Sequence, residues 1–474
     1  MDVYNSRIRP KTNVIRRFLV KDNRSSFTGK IGFILAAAGS AVGLGNLWRF
    51  PYLAAQYGGG IFLFVYIILA VSFGFALMIA EIAIGRKTGL SAIGAFNALD
   101  KRFAFVGYLG TIVPLIILPY YSVIGGWVSK YFVTFLTGRG DAAASGDFFG
   151  NFIGAVGEPL LWFALFIGAS AVVVLFGVEK GIERVSKVMM PVLVVLTVAI
   201  AIYSLTLPNA IDGLIYYVKP DFSKFSVTTV LAAMGQLFYS MSIAMGILIT
   251  YGSYMKKDVH IETSTRQIEI FDTGIAFFAG LMIIPAIFSF FGGDAELLDE
   301  NLTKGPGLMF VMLPKVFDSM PAGGVIGALF FLLVLLAALT SSISLMETVV
   351  STIMDKFKLG RGISCLIVLG ISLLLGIPSS LGNGVWSDVK IIGMDFLTFF
   401  DFLTNTVIMP VIAFATCIIV GYVIKPKAII EEVEQSGKFK AKRLFSVVIK
   451  YIAPVCIVAI LIFSVCEGLG LIKV

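Results

Sequence analysis

The residues most out of keeping with their surroundings form one run, Gly39-Ser40-Ala41-Val42-Gly43-Leu44-Gly45-Asn46-Leu47-Trp48-Arg49-Phe50-Pro51. It lies in a stretch, 31–55, that is otherwise apolar and long enough to cross a bilayer as a helix. Each glycine in a helix interior costs about 1 kcal/mol relative to alanine. A charge at the bilayer centre costs about 3 kcal/mol or more. A helix serving only as an anchor has no use for either. Close packing of small residues against a neighbour accounts for the glycines, but not for Asn46 or Arg49. The run therefore reads as an unwound stretch between two half-helices, and its chemistry is coordination. Carbonyls released from the helix ladder can bind a cation. Glycines let a ligand approach the backbone. The N-terminus of the outer half-helix offers free N–H groups and a positive dipole end to an anion.

A second apolar stretch, 226–254, is interrupted in the same way. Its middle reads Gly235-Gln236-Leu237-Phe238-Tyr239-Ser240-Met241-Ser242-Ile243-Ala244-Met245-Gly246, followed by Thr250-Tyr251-Gly252-Ser253-Tyr254. A third, 322–354, contains Ala337-Ala338-Leu339-Thr340-Ser341-Ser342-Ile343-Ser344-Leu345-Met346-Glu347. Hydroxyls in a membrane helix often bond only to the preceding turn. Combined with freed carbonyls from the first run, they make a hard-oxygen cage suited to a small cation.

The elements that must position these residues are membrane helices. The chain has 474 residues, 58% hydrophobic and 14% charged, against roughly 45–50% and 25% in an ordinary soluble protein. A membrane β-barrel would show segments of about 10 residues with alternating polarity, and none is present. About eleven spans are expected, at 31–55, 61–84, 104–136, 160–177, 185–206, 226–254, 270–292, 322–354, 361–377, 395–424 and 444–469. The fold class is thus all-α integral membrane. The two interrupted spans are the first and sixth, which makes them the leading members of two sets of five. An odd repeat length inverts the second set, and matching interruptions in two halves point to a solute site at the membrane midplane. The expected units are a basic tail 1–26, repeats 27–206 and 226–424, and a loop with a peripheral helix, 425–474.

With the N-terminus in the cytoplasm, about 27 of the Lys and Arg residues fall inside and about 7 outside, which supports that orientation. It also explains the net charge of +8 without a nucleic-acid partner. The tail lacks the features of a signal peptide. The external connections 137–159, 206–225 and 292–321 are long, and the third reads equally as an ordinary loop or as a lid. The cysteines Cys365, Cys417, Cys456 and Cys466 lie in or near apolar segments and imply no disulfide framework. The single histidine, His260, reads as a solvated loop residue and cannot build a multi-histidine metal site.

These strings resemble the neurotransmitter:sodium symporter family, specifically its prokaryotic amino-acid branch. The resemblance rests on Ala41 to Asn46 followed by Trp48-Arg49-Phe50-Pro51-Tyr52, on Gly58-Gly59-Gly60, on Pro119-Tyr120-Tyr121, on the Gln236 to Ser242 run and on Thr340-Ser341-Ser342. It implies sodium-coupled symport of an amino acid by alternating access, with two sodium ions. One sodium site would use carbonyls of Gly39, Val42 and Ala337 with the hydroxyls of Thr340 and Ser341. The other would use the Ala41 carbonyl, Asn46, Ser240, Asp272 and the substrate carboxylate. The substrate backbone would lie against Ala41, Gly43, Gly45, Tyr121, Ser240 and Ser341. Its side chain would face Ile117, Tyr239, Ser242, Met245 and Leu345. Arg49 and Asp401 would form an outer gate. Arg24 and Asp355, with Phe27 and Tyr254 nearby, would form an inner one. A monomer in a cell inner or plasma membrane would suffice.

The chain also departs from the family pattern. Tyr239 stands where phenylalanine is common, Phe27 where tryptophan is common, and Leu53 at an often polar position. Eleven spans are expected where many members have twelve. No acid stands at Gly43, which favours a substrate carrying its own carboxylate, and the apolar pocket favours a hydrophobic or aromatic side chain. The positions of chloride ligands in chloride-dependent members are Tyr66, Gln236, Ser240 and Ala276. Ala276 lacks a hydroxyl, and Asp272 would supply the negative charge internally, so chloride is not expected to be required. The alternative for Asp272 is a cap at the start of the seventh span. An enzyme is disfavoured because no HExxH, GxSxG or acid–histidine pair is present. A non-transporting amino-acid sensor with the same fold is the remaining alternative.

Overall fold

A computed structural model describes residues 26–292 and 306–468. Regular structure among them is helical, apart from isolated bridges between Gly59 and Pro220 and between Ile391 and Met394. A bent pair comes first, α1 (Lys30–Ala41) and α2 (Gly45–Gln56), inclined at 51°. Then follow α3 (Gly60–Thr88), α4 (Lys101–Leu136), α5 (Gly157–Leu175) and α6 (Val178–Leu205). Two short helices, α7 (Val227–Ser240) and α8 (Ile247–Ser253), flank a non-helical segment. The remainder are α9 (Ile261–Phe290), α10 (Gly323–Phe357), α11 (Arg361–Leu381), α12 (Phe396–Val423) and α13 (Lys442–Cys466). Among the described residues, nine helices are long and apolar enough to cross a membrane, and the bent pair makes a tenth span.

The four short central helices are held by long ones. α1 packs against α6, α9 and α10, while α8 lies along α3 and also touches α1 and α10. Small residues permit these approaches. A Cβ added to Gly85 in α3 would lie 1.9 Å from the Ile249 carbonyl oxygen of α8.

The long connections expected on the outside carry helices in their described parts. Helices Gly140–Ala144 and Phe148–Gly154 lie between α4 and α5, and Ala210–Val218 lies between α6 and α7. Beyond Gly307, Leu308, Met309 and Phe310 are buried. Phe310 packs against Trp48, Trp127, Tyr131 and Phe149. The Phe310 carbonyl accepts a hydrogen bond of 2.7 Å from Tyr131. This segment folds back into the protein.

Three boundaries depart from expectation for one reason: charged residues at helix ends are satisfied by other segments. α6 begins at Val178, not near 185, and Glu183 receives hydrogen bonds from Thr28 and Lys187. α3 runs on to Thr88, with Arg86 buried against Glu432. α9 starts at Ile261, not near 270, with Glu262 accepting from the Lys440 and Ala441 amides. His260, expected in a loop, is the N-cap of α9: its Nδ1 accepts from the Thr263 amide at 3.2 Å. Asp272 lies well inside α9, which overturns its reading as a cap.

Candidate ligand and cation sites

The first break follows from a local exchange of hydrogen bonds. α1 ends when Val42 turns extended, at φ −75° and ψ 109°. The Gly43 amide then donates to the Asn46 side-chain oxygen at 3.0 Å, so a side chain satisfies a backbone group that the helix has released. The second break is more strained. Ser242 (φ 53°), Ala244 (φ 63°) and Gly246 (φ 68°) all adopt left-handed conformations. For residues other than glycine this costs about 1–2 kcal/mol each, and it persists only where the surroundings fix it. Here the Ser242 hydroxyl donates to the Ser40 carbonyl at 3.1 Å, and the Ala244 amide donates to Glu81 Oε1 at 2.8 Å. The two breaks thus lean on each other and on α3.

Between them lies a cavity. Every residue expected at the substrate lines it: Ala41, Gly43, Gly45, Ile117, Tyr121, Tyr239, Ser240, Ser242, Met245, Ser341 and Leu345. The cavity wall also includes Ser40, Leu44, Ile247 and Ser344, which sequence reasoning passed over. Ser40 and Ser344 join in a hydroxyl pair at 2.7 Å. Their signal was their place in the interrupted runs. Backbone without side chains shapes one end. A Cβ at Gly43 would stand 2.6 Å from Ser341 Oγ and 2.9 Å from the Tyr121 hydroxyl, and one at Gly45 would stand 2.7 Å from the Tyr239 ring. The Leu44 amide donates to the Tyr121 hydroxyl at 3.3 Å.

Oxygen-rich clusters flank the cavity. In one, Asn46 Nδ2 donates to Ser240 Oγ at 3.0 Å and to Asp272 Oδ1 at 2.7 Å. Ser240 donates to the same carboxylate oxygen at 2.7 Å, and the Tyr66 hydroxyl reaches Asp272 Oδ2 at 3.3 Å. Gln236 donates to the Gly45 carbonyl at 2.8 Å. Ala276 is buried on the same helix, one turn beyond Asp272. In the other cluster, the Ser341 hydroxyl donates to the Ser40 and Val42 carbonyls, both at 3.2 Å. Thr340 bonds back to Ala337 and Leu336, and its side chain faces Gly39. Among the described residues, no group of three His, Cys, Asp or Glu side chains could hold a metal ion. Any cation held here is therefore ligated mainly by carbonyls and hydroxyls.

The expected gates are arranged less simply. Arg49 stands 5.5 Å over the Tyr239 ring. Asp401 accepts from Tyr120 at 3.2 Å and from Asn405 at 2.5 Å. No ion pair within 4.0 Å joins Arg49 to Asp401. On the opposite side, Phe27 is buried, its amide donates to the Tyr254 carbonyl at 3.2 Å, and its ring packs on Tyr251 and Tyr254. Asp355 accepts from the Ser91 amide at 3.0 Å. Arg24 lies outside the described residues. Sequence reasoning also missed Glu347, fully buried and paired with Arg361 at 2.6 Å, which accepts from Tyr254 at 2.7 Å.

The sequence pattern of the sodium:neurotransmitter symporter family matches residues 24–142 and 148–470. An uncharacterized sodium-dependent transporter of Haemophilus influenzae is 31% identical, the alignment covering 93% of this chain and 98% of that one. The uncharacterized sodium-dependent transporter YhdH of Bacillus subtilis is 33% identical, covering 92% and 96%. The crystal structure of MhsT in complex with L-phenylalanine superposes with a TM-score of 0.84 at 38% identity, covering 93% of this chain and all of that one.

Proposed function

Because the chain belongs to the sodium:neurotransmitter symporter family, we propose that it carries an amino acid across the membrane with sodium, by alternating access around the central cavity. The observation that supports this reading most is the convergence of eleven expected residues, drawn from five separate helices and both breaks, on one cavity. The carboxylate of the amino acid meets the open backbone at Gly43 and Gly45, the Tyr121 hydroxyl and the N-terminus of α2. These groups replace much of its hydration. The side chain lies among Ile117, Met245 and Leu345, which favours hydrophobic or aromatic substrates. The phenylalanine held by MhsT agrees with that class.

One sodium ion takes the place of the Asn46 amide donor beside Asp272 and Ser240, with the amide turned so that its oxygen faces the ion. A second lies between Gly39, Val42, Ala337, Thr340 and Ser341. Asp272 supplies the negative charge, so chloride is not required. α7 and α8 form one discontinuous span matching α1 and α2. This makes eleven spans, ten of them in two inverted repeats, 27–206 and 226–424, and the last beyond them, with the N-terminus cytoplasmic and a single chain sufficient.

Binding of labelled phenylalanine to the purified protein, with unlabelled amino acids as competitors, tests this reading. Hydrophobic and aromatic amino acids should compete in sodium and not in potassium, and charged ones should not. Sodium-independent binding, or competition by amines lacking a carboxylate, would contradict it.

A further inference from the structure

The segment joining α12 to α13 carries a charge pattern that the cavity does not explain. Lys438, Lys440, Lys442 and Arg443 fall within six residues with no acid among them, and no other six-residue stretch of the chain holds four cations. All four residues are exposed. A cytoplasmic excess of Lys and Arg requires only that they lie on that side, and several of the cations there are tied to acids. Arg86 and Lys257 pair with Glu432, Lys187 with Glu183 and Arg361 with Glu347. In the cluster only Lys442 has such a partner, Glu434 at 3.3 Å. Among the described residues no acid lies within 4.0 Å of Lys438, Lys440 or Arg443. Lys442 and Arg443 also open α13, at the positive end of its dipole, where acidic residues are the favourable ones. Like charges gathered this closely repel one another unless an anion sits among them.

The backbone under these cations is fixed. Phe439, between Lys438 and Lys440, is buried and packs on Phe445 at 5.7 Å. Glu262 holds the Lys440 and Ala441 amides at 2.8 and 3.1 Å. A Cβ at Gly437 would stand 2.3 Å from the His260 ring. The cluster is therefore set in place before anything binds, which lowers the cost of binding. Directly after it the lipid-facing side of α13 begins, with Leu444, Val447, Ile452 and Val455 exposed. An occupant that meets both surfaces has an anionic head and an apolar tail.

We propose that Lys438, Lys440 and Arg443, with Lys442, hold the phosphate of an anionic phospholipid in the cytoplasmic leaflet. The proposal rests on the membrane orientation given above and not on the sodium coupling. Polybasic segments beside a membrane helix attract anionic headgroups, and the Arg443 guanidinium can bond a phosphate bidentately. In phosphatidylcholine the phosphate charge is offset by the lipid's own ammonium, so that lipid should bind far less.

The full chain in detergent tests this. It is titrated with phosphatidylglycerol, phosphatidylcholine or inorganic phosphate, and the thermal midpoint is read, because a ligand of the folded state raises it. Phosphatidylglycerol should raise the midpoint and the other two should not. Its apparent affinity should fall about fivefold for each cation removed, and so about a hundredfold when Lys438→Gln, Lys440→Gln and Arg443→Gln are combined. Arg443→Gln alone keeps the test available if the triple variant does not fold. A second triple variant, Lys87→Gln with Lys180→Gln and Lys358→Gln, removes equal charge from exposed residues on the same side and should keep wild-type affinity. Equal losses in the two triple variants would make the attraction a property of the whole cytoplasmic face and overturn the proposal. So would an undiminished response to phosphatidylglycerol without the three cations. Equal stabilisation by inorganic phosphate would mark a site for a free anion and overturn the lipid assignment. A phosphatidylglycerol response in a protein that shows no sodium-dependent phenylalanine binding would overturn the proposed function and support this inference.

Discussion

At the scale of single residues, the account turns on positions where an atom more or an atom fewer changes what can bind. A methyl group at Gly43 would have to displace Ser341 Oγ, 2.6 Å from the place a Cβ would take, and the Tyr121 hydroxyl at 2.9 Å, both of which face the ligand. Gly43→Ala should therefore abolish phenylalanine binding while leaving the protein folded, as gel filtration and competition binding would show. Asn46, Ser240 and Tyr66 all hydrogen-bond to one buried carboxylate, Asp272. Asn46→Ala removes a ligand and leaves that carboxylate short of a donor. The apparent sodium affinity of binding should fall about tenfold or more. Wild-type affinity in this variant would remove Asn46 from the ion site.

At the scale of elements, the breaks matter more than the helices. Three left-handed residues between α7 and α8 are held by Ser40 and Glu81. Glu81→Leu leaves the Ala244 amide without its acceptor, at a cost of about 1–3 kcal/mol. It should lower the thermal midpoint in detergent by several degrees, whereas Glu81→Gln, which keeps an acceptor, should change it little. Ala244→Gly removes the left-handed penalty and should be neutral or stabilising. Thr340→Ala with Ser341→Ala removes both hydroxyls of the second cluster. Sodium dependence should weaken while the fold survives, because each change only trims a side chain.

Much of this was legible in the sequence, and the reason is energetic. Glycines, an asparagine and an arginine inside an apolar span carry a cost that something must offset, so the run from Gly39 to Arg49 announced its break. The start of α9 was not legible in the same way. Glu262, Arg266 and Glu269 read as loop residues, since nothing local showed that the distant Lys440 and Ala441 amides bind Glu262. For the same reason the buried Glu347–Arg361 pair and the N-cap role of His260 emerged only once segments far apart in sequence were brought together. Arg49 stood out by the cost of a charge within an apolar span, and Asp401 was named only through the family resemblance. Their arrangement around Tyr239, Tyr120 and Asn405 depends on tertiary packing that residue types alone do not encode.

At the scale of the whole molecule, the bundle places polar groups from both halves of the chain against one cavity and seals them within apolar helices. The negative charge of Asp272 should make the cycle indifferent to chloride. Phenylalanine uptake should be equal in sodium chloride and sodium gluconate, and Asp272→Asn should lose transport. A strong fall in gluconate would show an anion site among Tyr66, Gln236 and Ser240, and would remove Asp272 from the role assigned to it.

The central claim is that sodium movement drives amino-acid accumulation through this cavity. Its most direct test is phenylalanine uptake into proteoliposomes under an inward sodium gradient, with the membrane potential clamped at zero. The account predicts accumulation above the external concentration, collapsing when sodium is equal on both sides and absent in Gly43→Ala. Accumulation that persists without a sodium gradient, or that survives Gly43→Ala, would contradict it.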